Sequence, residues 1–283
     1  MQLSVVIITC NEEANIRRTL ESVKSLVTDG KGEIIVVDSG STDRTVEIAR
    51  SLGAKVFIEE WKGFAAQKNS AIDKATGDWI LSLDADEEAD DQLQQALQEL
   101  MDAMSRLSSM QPQGDSTSPV IGAEFKGLWI PRKNQFLGRW IKHGGFWPDP
   151  KLRLFRRGSG RFENRAVHED VQVEGATRQI QRGALVHHSY PTLSDYIEHM
   201  NRYSSLGAEM VAAKGRVRFS FINIALRPLF TFIYNYVLRL GFLDGREGLL
   251  LHLYHAVYVS WKYAKAWELS RNHPPRQAIA KQH

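Results

Sequence analysis

Blocks of apolar and polar residues alternate along the first hundred positions of the chain. Leu3–Ile8 is a short β-branched run of the kind that forms a buried strand. Apolar residues at positions 16, 20, 23 and 27 follow helical spacing and predict one buried helix face. The same pattern predicts strands at Ile34–Val37, Lys55–Ile58 and Asp78–Leu83, and helices at Asp43–Leu52, Gly63–Ala75 and residues 93–107. Because strands and helices alternate, we expect right-handed βαβ units and a mostly parallel sheet.

A segment rich in Ser, Pro and Gly, residues 108–119, interrupts this pattern and predicts a loop. The apolar runs beyond it are shorter, and a helix is predicted over residues 192–213. Strands are predicted at Gly127–Pro131, Leu152–Phe155 and Ala184–His187. The fold class predicted from these patterns is α/β.

Two strongly apolar segments, Phe219–Leu240 and Leu249–Trp267, follow. Arg227, Pro228 and Arg239 disfavour a plain membrane span. On scales based on insertion by the translocon, an Arg at the centre of a spanning helix costs about 2.5–3.5 kcal/mol. Aromatic residues interspersed with basic ones are typical of helices that lie in the lipid headgroup zone. An interfacial position is the favoured interpretation. A buried helical hairpin and a true span are the alternatives.

Charge is distributed unevenly along the 283 residues, although the formal net charge is only +3. Residues 1–110 carry a net charge of −9 and residues 111–283 a net charge of +12. Within residues 126–165, 11 Lys or Arg residues stand against two acids, so this part is expected to face an anionic partner. The single cysteine, Cys10, excludes an internal disulfide framework and a Cys-based zinc finger.

Polar residues follow the predicted strands, at the sheet edge where open α/β folds bind ligands. The residues concerned are Thr9, Asn11 and Glu12 after the first strand, Asp38 after the second, and Asp84 and Asp86 after the fourth. Two carboxylates spaced as D-x-D at a strand end suit a hard cation such as Mg²⁺ or Mn²⁺. The alternatives are a solvated acidic helix start for Asp84 and Asp86 and a turn role for Asp38.

Phosphate-binding glycine motifs are absent from the sequence. Neither G-x-G-x-x-G nor G-x-x-x-x-G-K-[ST] occurs, which disfavours a dinucleotide-binding enzyme and a P-loop enzyme. A nucleic-acid-binding protein that uses the basic segment is a distant alternative. No nucleic-acid fold signature is present, and the acidic half would repel a polyanion.

Four motifs in order resemble those of the family-2 inverting glycosyltransferases of the GT-A fold. They are the stretches Leu3–Glu12, Ile35–Asp43, Ala65–Asn69 and Leu83–Glu87. Later stretches resemble the lipopolysaccharide-core β-1,4-glucosyltransferases of Gram-negative bacteria, namely Phe146–Asp149, Leu152–Arg157, Val167–Glu169 and His187–Tyr190. The resemblance implies a Rossmann-like mixed sheet flanked by helices, with a C-terminal amphipathic helical extension.

The resemblance also implies roles for the residues at the strand ends. Asp38 would contact the nucleotide base, and Glu12 the ribose, with Thr9 and Asn11 nearby. Lys68 and Asn69 would lie by the uracil and phosphates. Asp84 and Asp86 would hold a divalent cation, Mg²⁺ or Mn²⁺, on the diphosphate, with Asp86 the more direct ligand. For His187 a core or sheet-end histidine is the favoured interpretation, and a further metal ligand, or a residue that supports one, is the alternative. Arg153 would bind the diphosphate.

A general base is required by the single displacement that the resemblance implies, since an acceptor hydroxyl must lose its proton. The candidates are Glu169 and Asp170. Many relatives carry a Glu-Asp pair in which Asp is the base, whereas the narrower core-glucosyltransferase group carries His-Glu. Glu169 is the favoured interpretation and Asp170 the alternative, and the sequence leaves both open.

The partners implied by the resemblance are a UDP-sugar donor, with UDP-glucose favoured, and the heptose of a lipid-linked lipopolysaccharide core. A polyprenyl-phosphate sugar transferase is the main alternative. Three sections are predicted: a nucleotide-sugar-binding half at 1–107, an acceptor-binding and catalytic half at 120–213, and membrane-interface helices at 214–270. Because no secretory signal is apparent, the expected location is the cytoplasmic face of the bacterial inner membrane, without nucleic acid as a partner.

Overall fold

The computed structural model describes residues 1–110, 125–163, 170–215 and 217–272. Its strands are β1 (Leu3–Thr9), β2 (Gly32–Asp38), β3 (Lys55–Ile58), β4 (Trp79–Asp84), β5 (Glu87–Ala89), β6 (Phe125–Ile130), β7 (Arg132–Phe136), β8 (Arg139–Trp140), β9 (Lys151–Arg156), β10 (Gly160–Phe162), β11 (Val171–Val173), β12 (Ala176–Gln179) and β13 (Leu185–Tyr190). Its α-helices are α1 (Ile16–Val27), α2 (Thr45–Ser51), α3 (Phe64–Asp73), α4 (Asp91–Met110), α5 (Leu193–Ala212), α6 (Arg227–Phe232) and α7 (Gly245–Asn272).

A seven-stranded mixed sheet forms the centre of the first part of the chain. The strand order is β12-β6-β9-β4-β1-β2-β3. The four strands β4, β1, β2 and β3 are parallel, as expected for βαβ units, and β9 pairs antiparallel with both β4 and β6. The sheet confirms the predicted α/β class with a mixed sheet flanked by helices.

Both faces of this sheet are buried, which explains the nearly continuous apolar runs of its central strands. Along β1, Val5 and Ile7 pack with α1 on one face, whereas Val6 packs on the other face. Ile35 and Val37 of β2 join Val6 in the second cluster. The two clusters hold the parallel strands in register, and that register aligns their carboxyl ends.

The predicted strands and helices of the first hundred residues are confirmed with bounds that differ by a few positions. The sequence pattern missed the strands β5, β7, β8, β10, β11 and β12. The alternative of an acidic helix start at Asp84 and Asp86 does not hold, because Glu87–Ala89 form β5, which pairs antiparallel with Leu185–His187 of β13. Only Asp90 and Asp91 belong to the helix start, where Asp90 Oδ1 accepts the Leu93 N–H at 2.8 Å.

Two compact units divide the chain. The first comprises residues 1–133 and 148–188 and contains the seven-stranded sheet. The second comprises residues 134–147 and 189–283, of which the structure describes residues up to 272. The three predicted sections were assigned by role rather than by compactness, and that assignment stays a prediction.

The second unit is built around the long helices α5 and α7, which pack against each other. Phe136, Ile141, Tyr196 and Leu251 form its buried apolar cluster. α5 begins at a capping box, in which the Thr192 side chain accepts the Asp195 N–H and the Asp195 carboxylate accepts the Thr192 N–H.

Among the residues that the structure describes, every helix is too short or too polar to span a bilayer.

His252 of α7 is a buried histidine of the second unit. It is 1% exposed, and neither ring nitrogen has a hydrogen-bond partner among the described residues. Burial, reinforced by His255, lowers the pKa of His252 to about 4, so the ring is neutral at physiological pH. Its ring lies against Gly144, where an added Cβ would come within 2.0 Å of it.

We expect Gly144→Ala to destabilise the second unit by roughly 3 kcal/mol. The backbone at Gly144 has φ 66°, which strains any side chain, and the new methyl would also collide with His252. Gly138→Ala is the matched control, because Gly138 has φ 77° but no described atom within 4 Å of an added Cβ. It should cost only about 1 kcal/mol of backbone strain. Urea denaturation of both variants measures the difference, and equal losses would contradict the packing argument.

Candidate functional site

The carboxyl ends of β1, β2 and β4 lie side by side at one edge of the sheet. In the strand register Thr9 is opposite Asp38, and Ile8 is opposite Asp84. The side chains predicted after three separate strands are therefore brought to a common edge. This is the edge at which open α/β sheets bind ligands.

Asp38 is completely buried and saturated with hydrogen bonds. Its Oδ2 accepts the hydroxyls of Thr9 at 2.7 Å and Ser41 at 2.5 Å. Its Oδ1 accepts the backbone N–H groups of Gly40 at 3.0 Å and Ser41 at 2.8 Å. Asp38 thus organises the turn after β2, as the turn interpretation expected, at the position where the resemblance places the base contact.

Asn11 connects the turn after β1 to the turn after β2, and the Glu12 side chain is held within the first of these turns. Asn11 Oδ1 accepts the Thr42 N–H at 2.8 Å, and Asn15 Nδ2 donates to Glu12 Oε2 at 2.9 Å. Burial raises the pKa of Glu12 despite the Asn15 bond, and the carboxylates Asp86, Asp43 and Asp84 raise it further. Glu12 therefore shares one field of negative charge with the D-x-D residues.

Asp84 is held by two cations of the protein itself. Its Oδ1 lies 2.6 Å from Lys68 Nζ, and its Oδ2 lies 2.5 Å from Arg153 Nη2. Burial alone would raise the pKa of Asp84, but Arg153 and Lys68 hold it well below its usual range. The carboxylate is therefore ionised, and two cationic side chains pair with it.

Arg153 reaches this edge because β9 runs antiparallel beside β4. Leu81 of β4 is opposite Leu154 of β9, which carries Arg153 to the strand end where Asp84 lies. The Arg153 side chain is 7% exposed, and its Nε has no hydrogen-bond partner among the residues described. A buried guanidinium with an unused donor is suited to an anionic ligand.

Asp86 faces His187 of β13. The two side chains meet through Oδ2 and Nε2 at 3.2 Å. Burial would raise the pKa of Asp86, but His187 outweighs that effect, so the pKa of Asp86 lies below its usual value. His187 was given both a metal-site and a core interpretation, and the structure places it directly against the second D-x-D carboxylate.

Glu87 is a site residue that the sequence interpretation missed. Its side chain is fully buried, and Oε1 lies 2.6 Å from Arg153 Nη2 and 3.3 Å from Arg132 Nη1. Its Oε2 accepts the backbone N–H of Asp84 at 3.1 Å. The residues from 85 to 89 read ADEEA, which has no apolar alternation, so the period-two burial of this strand is visible only in the structure.

Asn69 is committed to the structure of the first unit. Its Nδ2 donates to the Phe162 carbonyl at 2.9 Å, and its Oδ1 accepts the Phe162 N–H at 3.0 Å. The amide thereby ties α3 to β10. Its neighbour Lys68 points instead to Asp84, so the structure separates the two residues that the resemblance had grouped by the nucleotide.

A cavity of about 160 Å³ opens beside these charges. It is lined by Lys68, Asp84, Arg132, Lys151, Arg153 and Asp170, together with Trp129, Leu152, Phe162 and Val171. The base candidate Asp170 is exposed and borders the same cavity as Asp84. The other candidate, Glu169, lies outside the described residues.

A divalent cation would find two adjacent protein donors here, the oxygen of Asp86 and the imidazole of His187. Within the described parts of the chain, no three side chains of His, Cys, Asp or Glu come together closely enough to hold a metal ion. The predicted trio of Asp84, Asp86 and His187 therefore does not form a closed metal site. The residues fit a cation that takes part of its shell from a diphosphate and water, as Mg²⁺ commonly does.

Comparison with known proteins agrees with this geometry. Residues 4–159, more than half of the chain, match the model of glycosyl transferase family 2, and the chain belongs to this family. It is therefore a glycosyltransferase, and its α/β unit has the GT-A fold.

Two relatives align over nearly the whole chain. An uncharacterized glycosyltransferase of Rickettsia typhi is 30% identical over 279 residues, which cover 95% of this chain and 88% of the relative. The lipopolysaccharide core biosynthesis glycosyltransferase LpsC of Rhizobium meliloti is 28% identical over 274 residues, covering 95% and 93%.

A solved structure of similar fold is the mannosyltransferase PcManGT from Pyrobaculum calidifontis, determined with GDP-Man and Mn²⁺. It is 16% identical, with a TM-score of 0.52, and the match covers 97% of this chain and 88% of that one. At this identity the likeness concerns the fold.

Proposed function

We propose that this chain is an inverting hexosyltransferase that moves glucose from UDP-glucose to a heptose of the lipopolysaccharide inner core. The observation that carries the proposal is the full-length similarity to LpsC, which is named for lipopolysaccharide core biosynthesis. The charged cavity supports it, because a nucleotide diphosphate and a phosphorylated acceptor are both anionic.

The leaving diphosphate requires positive charge in the transition state. Arg153 and Lys68 are buried cations that line the cavity, and both pair with Asp84. We assign them to the diphosphate, with Arg153 offering an unused Nε donor. A divalent cation held by Asp86 and His187, with Asp84 nearby, would supply further neutralisation of the leaving group.

The acceptor hydroxyl requires a base within reach of the cavity. We assign this role to the acidic pair at 169 and 170. The position of Asp170 on the cavity wall supports Asp170 as the base. Glu12 and Asn11 are assigned to the nucleoside at the neighbouring strand ends. Asp38 and Thr9 are assigned to the same subsite through the turn that the buried Asp38 carboxylate holds.

We expect the protein to release UDP from UDP-glucose only when Mg²⁺ or Mn²⁺ is present. Asp86→Ala should lower kcat at least about a hundredfold, because it removes the carboxylate assigned to the cation. Asp102→Ala is the control, since Asp102 is an exposed acid on α4. Product masses with heptosyl-lipid A and with polyprenyl phosphate identify the acceptor. Normal turnover by Asp86→Ala would contradict the metal assignment, and transfer to polyprenyl phosphate alone would contradict the acceptor.

Asp170→Asn and Glu169→Gln distinguish the two base candidates. The variant that removes the base should lose roughly 10²–10⁴-fold in kcat while it keeps wild-type affinity for UDP. We expect this result for Asp170→Asn, with Glu169→Gln as its matched control. Turnover and UDP calorimetry should be measured on both proteins. The opposite pattern would move the base to Glu169.

We further propose that the C-terminal helices dock on an anionic membrane surface. Within residues 219–253, fifteen large apolar side chains are exposed, including Phe221, Phe230 and Leu238 at 64–65%. Exposed Arg227 and Arg239 lie among them. Exposed apolar area mixed with cations is typical of a surface that enters the lipid headgroup zone.

Vesicle sedimentation tests this docking. The triple variant Phe221→Ser, Phe230→Ser and Leu238→Ser should bind anionic vesicles at least about tenfold more weakly than the wild type, because it removes apolar area from the contact. Ile58→Ser is the control, an equally exposed apolar residue of the first unit. Wild-type protein that stays in the supernatant at low salt would contradict the membrane proposal.

A further inference from the structure

Seven charged side chains of the first unit form a continuous chain in which cations and anions alternate. In order they are Lys68, Asp84, Arg153, Glu87, Arg132, Asp149 and Lys151. The six successive nitrogen–oxygen distances are 2.6, 2.5, 2.6, 3.3, 2.7 and 3.2 Å. The four cations all line the cavity, whereas Glu87, the central anion, does not. Glu87 therefore acts on the cavity only through the groups that it holds.

Glu87 shares one nitrogen atom with Asp84. Arg153 Nη2 lies 2.5 Å from Asp84 Oδ2 and 2.6 Å from Glu87 Oε1. The guanidinium thus contacts two carboxylates at once, one that lines the cavity and one that is fully buried. A buried carboxylate is costly unless it is paired, so Glu87 keeps a strong attraction for its two arginines whatever happens at the cavity.

Binding of a divalent cation and a diphosphate would change the contact of Arg153 with Asp84 but not its contact with the buried Glu87. A cation beside Asp84 competes with Arg153 for the same carboxylate, and like charges repel. If Asp84 were the sole partner of Arg153, the guanidinium would either oppose binding of the cation to Asp84 or move away from the sheet edge. With Glu87 in place, Arg153 has a second anion that the incoming cation does not take.

We propose that Glu87 is a positioning residue. Its buried carboxylate retains Arg153 at the cavity wall when Asp84 turns to the cation and the nucleotide diphosphate, which lets cation and guanidinium act on the same leaving group. The inference rests on the proposed use of a nucleotide diphosphate with Mg²⁺ or Mn²⁺.

Glu87→Gln tests this inference, because it removes the charge and keeps the shape. Without that charge Arg153 has Asp84 as its main anion and competes more strongly with Mn²⁺. We expect the Kd for Mn²⁺ in the presence of UDP, measured by calorimetry, to rise about tenfold or more, and kcat to fall while KM for the acceptor stays within about twofold. An unchanged Mn²⁺ Kd and kcat would overturn the proposal.

Glu88→Gln is the matched control, since it removes the same charge one residue later. Glu88 pairs with Arg18 at 3.1 Å and with His188 at 3.5 Å, away from Arg153. Its Mn²⁺ Kd should remain within about twofold of the wild type. An equal weakening in Glu88→Gln would show a general charge effect and would overturn the proposal.

Further variants distinguish a positioning role of Glu87 from a general loss of structure. In an Arg153→Gln background, adding Glu87→Gln should leave the Mn²⁺ Kd unchanged, whereas a persisting effect would show that Glu87 acts on Asp84 directly. If Glu87→Gln does not fold, Glu87→Asp withdraws the carboxylate by one methylene and should shift the Kd in the same direction by a smaller factor. A wild-type Kd in Glu87→Asp would then overturn the inference. Wild-type protein that binds no UDP with Mn²⁺ refutes the proposed function instead.

Discussion

The contact of Arg153 with both Asp84 and Glu87 is the interaction on which the charged edge of the sheet depends. Three strands deliver acids or acid-binding residues to one edge, and like charges at such an edge repel. β9 resolves this conflict, because its antiparallel pairing with β4 carries a guanidinium to the end of that strand. Lys68 and Arg153 therefore offset part of the negative charge that the three strands bring to this edge.

This arrangement also explains why the D-x-D residues differ in their surroundings. Asp84 is paired with Lys68 and Arg153, whereas Asp86 faces the imidazole of His187. The first carboxylate has two cationic partners, whereas the second has one imidazole partner. Asp84 and Asp86 are identical side chains two positions apart, but the structure gives them different partners.

Sequence reasoning predicted the parallel strands and the side chains at their ends because both depend on local pattern. β1, β2 and β4 are apolar runs, and the residues after them were placed correctly at one edge. Glu87 was missed, because a three-residue strand between acids looks like a helix start until its partner β13 is known. Asn69 shows the same limit, since only the fold reveals that its amide is used by Phe162.

The order of strands in the sheet has a consequence for synthesis of the chain. Arg153 follows Asp84 by 69 residues, yet β9 lies directly beside β4. The acids leave the ribosome first, and the guanidinium that permits their burial arrives much later. Because an unpaired buried carboxylate is strongly unfavourable, we expect Glu87 to become buried only after the segments that carry Arg132 and Arg153 have been synthesised.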